Sequence, residues 1–117
     1  MRKFLFVPVL LIMMLGVAAA ENLEITEVNI VIKIVNEVGT YLENDNSPLE
    51  TIEQQQALVD HIGNTIVYEK YNIEAYGVML LADTETNIPV KLILILDLVF
   101  SEYSYMFNLV TGERTIL

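Results

Sequence analysis

The chain has 117 residues, with six basic and sixteen acidic side chains, one histidine and no cysteine, and a formal net charge of −10. Without cysteine there is no disulfide, thiolate metal site, nucleophilic thiol or lipid-anchored cysteine, and a single histidine excludes a multi-histidine metal centre. The acidic balance argues against nucleic acid or anionic lipid as partner, and an apolar fraction of 54% argues against disorder.

Residues 1–20 have the three parts of an export signal: Arg2 and Lys3, an apolar run from Phe4 to Leu15, then Gly16 and small residues. Ala18 and Ala20 occupy the third and first positions before a scissile bond, which predicts cleavage after Ala20, with Val17 and Ala19 as a one-residue alternative. An uncleaved anchor is the competing reading, for which the seventeen residues 4–20 are at the short end of the usual span of about 17 to 25 residues. Cleavage leaves residues 21–117, a single small α+β domain with four basic and sixteen acidic residues and a net charge of −12. Its expected location is a bacterial periplasm or the extracellular medium, with no membrane association after cleavage.

From Leu23 to Leu42, Ile25, Val28, Val31, Ile32, Val35, Val38 and Leu42 recur at intervals of three and four, which predicts a helix. The competing strand reading rests on the alternation of Val28, Ile30, Ile32 and Ile34 and on their β-branching. The helical stripe continues past Asn36 and the alternation does not, so the helix is preferred. After the polar break 43–46, Ser47, Pro48 and Glu50 read as a cap, a first helical residue and a capping-box acid, predicting a second helix from Pro48 to about Tyr68. The two would form a helical hairpin.

Beyond Lys70 the period changes to two. Residues 72–82, 89–100 and 103–110 read as strands joined by the polar turn 83–87 and a tight turn near Ser101 and Glu102, with Thr111 and Gly112 leading into a short last strand. Such short connections permit only antiparallel pairing. The expected fold is therefore α+β, a helical hairpin packed on a three- to four-stranded antiparallel β-meander, in two layers.

The strand from Val90 to Phe100 is apolar on both alternating sets: Val90, Leu92, Leu94, Leu96, Leu98 and Phe100 on one, and Lys91, Ile93, Ile95, Asp97 and Val99 on the other. A sheet covered on one side shows polar residues on its open side, so a second cover is expected for this one. Helices on opposite faces would supply it; otherwise the face binds a protein partner, a second copy or a small apolar ligand. Asp97, on this face, reads either as a carboxylate buried among leucines or as a partner of Lys91 that guards against sheet stacking. Tyr103, Tyr105 and Phe107 share one face of the next strand and make an aromatic stripe that reads either as a binding surface or as half-buried sheet packing. The candidate binding residues are therefore Ile93, Ile95, Asp97, Val99, Tyr103, Tyr105 and Phe107.

Catalytic signals are sparse. His61 follows Asp60, and Ser47, Ser101 and Ser104 are available, but no glycine elbow surrounds any of these serines. The stretch 43–47 is rich in oxygen ligands yet has Pro48 and Gln54 where a calcium loop needs glycine and glutamate. No glycine-rich phosphate cradle or basic cluster is present. The expectation is a protein that is not an enzyme and takes no cofactor.

Tyr105, Phe107, Thr111, Gly112 and Glu113 resemble the closing strand and turn of PepSY-type domains, which implies regulation of an exported peptidase. The order of two helices and a meander is similar to that of small outer-membrane-assembly accessory lipoproteins, whose lipidated cysteine this chain lacks. Neither resemblance assigns a family. The sequence points to an exported, non-enzymatic interaction module that binds a protein or itself through an apolar, tyrosine-bearing sheet face, a regulator of an exported enzyme being one concrete version. A carrier of a small apolar ligand, held between helices and sheet, is the alternative.

Overall fold

The first apolar stripe forms a helix, and the strand reading is set aside. In the computed structural model, which describes residues 17–45 and 47–117 with side chains from Leu23 onward, α1 spans Val17–Asn44. Its buried residues are Glu27, Val31, Ile34, Val35, Val38 and Gly39, a helical stripe, whereas Ile25, Val28 and Ile32 face outward. The predicted stripe was thus wider than the face the core uses. The export signal expected at residues 1–20 lies outside the described residues as far as residue 16, and residues 17–20 open α1. Among the described residues no helix is long and apolar enough to cross a membrane.

The second helix starts one turn later than Ser47 suggests. Helix α2 spans Ile52–Asp60 and continues into a π-helical stretch, π1, over His61–Lys70. Thr51 is the cap: its Oγ1 accepts the Gln54 amide at 3.1 Å, and Gln54 Oε1 accepts the amides of Thr51 at 3.0 Å and Glu50 at 2.9 Å. A side chain that satisfies two orphan amides outcompetes the Ser47 and Glu50 box. The Ser47 amide instead donates to Asp45 Oδ1 at 3.0 Å. In π1 the wide turn places residues four and five apart on one face, and Ile62, Gly63, Ile66 and Val67 are buried accordingly.

Four strands follow as an antiparallel meander in the order β1-β2-β3-β4: Tyr76–Ala82, Pro89–Asp97, Glu102–Asn108 and Arg114–Ile116. Asn72 and Asn87 at φ near 60° and Gly112 at 81° turn the chain before β1, before β2 and before β4. The predicted strand 89–100 ends early because Leu98 closes a tight turn, its amide donating to the Ser101 carbonyl at 3.0 Å. Val99 belongs to this turn and not to the strand.

Two helical elements pack on one side of this sheet, an α+β fold. Opposite faces, the other way to cover β2, is not what the chain adopts. α2 and π1 lie under β1, and α1 lies under β3. Between the layers, Val31, Ile34, Val35 and Val38 of α1 meet Leu58, Ile62, Ile66 and Val67, and Leu92, Leu94, Leu96 and Phe107 of the sheet. Each such side chain contributes about 1.5–3 kcal/mol on burial.

Candidate functional site

In an antiparallel pair, residues directly opposite share a face. The register sets Leu96 against Tyr103, Leu94 against Tyr105 and Leu92 against Phe107. The aromatic stripe therefore follows the leucines toward the helices, on the face opposite Ile93 and Ile95. Phe107 is buried in the core, and Tyr103 and Tyr105 pack against it. A four-residue turn at 98–101 puts even-numbered β2 residues opposite odd-numbered β3 residues.

The other face, which no described element covers, has its own lining. One row across the sheet is Leu81, Lys91 and Asn108; the next is Met79, Ile93, Met106 and Thr115; the third is Gly77, Ile95 and Ser104, with Leu117 beside Ser104. Met79 is 46% exposed and Leu81 42%, while Ile93, Ile95 and Met106 are half-buried by their neighbours alone. Met79, Leu81 and Met106 were missing from the sequence-derived set because either alternating set of their strands could have faced outward. The turn lengths carried the signal, since they fix which set pairs with Ile93 and Ile95.

Asp97 closes this face at the turn end, exposed and directly opposite Glu102. It is not buried among leucines. Lys91 stands six residues away on the same extended strand, about 20 Å distant, so the expected pairing with it does not form. The face thus carries two carboxyls at one end, an ammonium at the other and apolar side chains between.

The turn at this end is tied to the helix layer. Glu27 of α1, 7% exposed, accepts the Phe100 amide with both carboxylate oxygens at 3.2 Å. Burial, then the charges of Glu27 and Glu24, push the Tyr103 hydroxyl above the usual tyrosine range. Burial likewise raises Tyr41, with Asp45 adding to it, and Tyr71, with Glu37 adding to it. These phenols stay protonated in the folded chain at a pH where the unfolded chain ionises them, so their contribution is intact below about pH 10 and is lost as pH rises through the folded values. Urea midpoints should fall between about pH 9 and pH 11, and less so for Tyr103→Phe; a midpoint flat across that range contradicts the assignment.

A second concavity, of 460 Å³, lies between α1 and π1, lined by Asn36, Glu37, Thr40, Tyr41, His61, Thr65, Ile66 and Lys70. His61 stacks on Tyr41 with ring centroids 4.1 Å apart. Lys70 bonds Glu37, whose carboxyl, although burial alone would raise it, is held below its ordinary value by Lys70 and the Tyr71 hydroxyl. Ser104 sits on the open sheet face and Ser101 in the β2–β3 turn, so neither joins His61 in a nucleophilic constellation. Among the described residues no group of three or more His, Cys, Asp or Glu could hold a metal ion. Compared with known protein families, curated proteins and solved structures, the chain matches none.

Proposed function

We propose that the chain is an exported, non-enzymatic interaction module that binds a protein partner through the open face of its sheet, in the manner of a regulator of an exported enzyme. The observation that carries this reading is the apolar patch of Met79, Leu81, Ile93, Ile95 and Met106, which the helices leave uncovered because both lie on the other side. Exposed contiguous apolar surface marks contact sites. The fitting partner presents apolar side chains to this patch and a basic group to the Asp97 and Glu102 end. Export is supported by Arg2, Lys3, the apolar run 4–15 and the small residues Ala18 and Ala20.

Protein binding is favoured over the carriage of a small apolar ligand between helices and sheet. That layer is already filled by Leu92, Leu94 and Leu96, each 0% exposed, against Val31, Ile34 and Val38.

The test is cross-linking of the tagged full chain in the exported fraction of its host, with Ile95→Lys beside a charge control, Glu85→Lys, in the β1–β2 turn. Species joined to the parent and to Glu85→Lys should disappear with Ile95→Lys. A pattern that Ile95→Lys leaves intact, or a parent that captures nothing, overturns the proposal.

A further inference from the structure

The two outer strands of the sheet are finished differently. β4 has three residues, and its Arg114 reaches across to α1, Nη1 donating to Asn36 Oδ1 at 2.7 Å with the guanidinium lying over the bare backbone of Gly39. Short length and a charged side chain are the usual means of keeping an edge from pairing. β1 has neither. Its seven residues, Tyr76–Ala82, include no charged side chain and no proline, whereas β2 carries Lys91 and Asp97, β3 Glu102 and β4 Arg114.

The backbone of β1 is also available. The Asp97 amide donates to the Ala75 carbonyl at 2.9 Å, and alternation along an antiparallel ladder then turns the groups of Gly77, Met79 and Leu81 toward β2 and those of Val78 and Leu80 outward. Among the described residues, the outward groups of Val78 and Leu80 have no other hydrogen-bond partner. Such a row is a template for another strand.

We propose that β1 pairs antiparallel with β1 of a second copy, joining two sheets into one of eight strands. A chain of net charge −10 repels its copy over most of its surface, and among the described strands β1 alone brings no charged side chain of its own to such a seam. A two-fold axis at Met79 keeps the whole strand in the ladder. Val78 then exchanges both backbone bonds with Leu80 of the second copy, and Leu81 falls beside Gly77 of the second copy. There the missing side chain leaves room: a Cβ on Gly77 would meet nothing closer than Ile95 Cβ at 3.8 Å. Edge pairing does not depend on what the open face binds; it sets two such faces side by side.

A seven-residue ladder covers less than the roughly 1,600 Å² of a standard interface, so the pairing is reversible and is best read by a covalent trap. The chain has no cysteine of its own. Met79→Cys places the new thiol opposite its copy in a non-hydrogen-bonded pair, where the Cβ atoms come within about 4.5–5.5 Å. Under mild oxidation it should form a linked dimer about tenfold or more faster than Thr115→Cys at the far edge, because the reaction within a pair is intramolecular. Met79→Lys sets like charges opposite each other and should remove the reversible dimer seen by sedimentation without moving the unfolding midpoint. Ile95→Lys, by contrast, should keep the dimer even where it abolishes partner capture. Equal cross-linking of the two cysteine variants, a dimer that survives Met79→Lys, a dimer lost with Ile95→Lys, or a parent that stays monomeric at every concentration overturns the proposal.

Discussion

Leu94→Ala is expected to lower the free energy of unfolding by about 2–5 kcal/mol. Leu94 lies at the middle of β2, between Val78 and Tyr105, with none of its surface exposed. The cavity left by truncation would be walled by these two strands and by the helices behind them, all held by their own packing, so little collapse can offset the lost contacts. Small domains are stable by about 5–15 kcal/mol in total, and this one has no disulfide to fall back on. Urea unfolding followed by circular dichroism gives the number, and a loss under about 1 kcal/mol would mean that Leu94 is not where the layers meet.

Glu27→Ala should cost about 1–3 kcal/mol, as an unpartnered amide is left behind at the sheet turn. The bond from the Phe100 amide to Glu27 links positions 73 residues apart and is the polar anchor between α1 and the β2–β3 turn. Glu27→Gln keeps an acceptor for that amide and should recover most of the loss. Hydrogen exchange at Phe100 distinguishes the two: fast in the alanine variant, slow in the glutamine variant. If both variants exchange alike, Glu27 does not hold the turn.

Much of this architecture is legible in the residues themselves. The change from helical to alternating periodicity after Lys70 and the turn at 83–87 place the helix layer and the meander in order. Two kinds of information are not local. The capping choice between Ser47 and Thr51 depends on Gln54 reaching two amides at once, a competition between neighbouring motifs of equal local merit. The parity of β3 depends on whether its turn has two, three or four residues, and one residue of difference moves Tyr103, Tyr105 and Phe107 from one face to the other. That is why Ile93, Ile95 and Asp97 can be picked from the sequence as one face, while Tyr103 and Tyr105, assigned with them, lie half-buried on the helix side. The π-helical stretch over His61–Lys70 has no distinct composition, since its buried residues also satisfy an α-helical stripe.

Under the proposed function, adjacent residues of β2 have opposite duties, Leu94 to the core and Ile95 to a partner. The most direct measurement is the urea unfolding of Ile95→Lys beside the parent and Leu94→Ala. A half-buried side chain on an uncovered sheet face can carry an ammonium at its tip out to water, so the midpoint of Ile95→Lys should stay within about 1 kcal/mol of the parent while Leu94→Ala falls by several. A loss with Ile95→Lys as large as that of Leu94→Ala would place Ile95 inside the packed structure and contradict an open binding face.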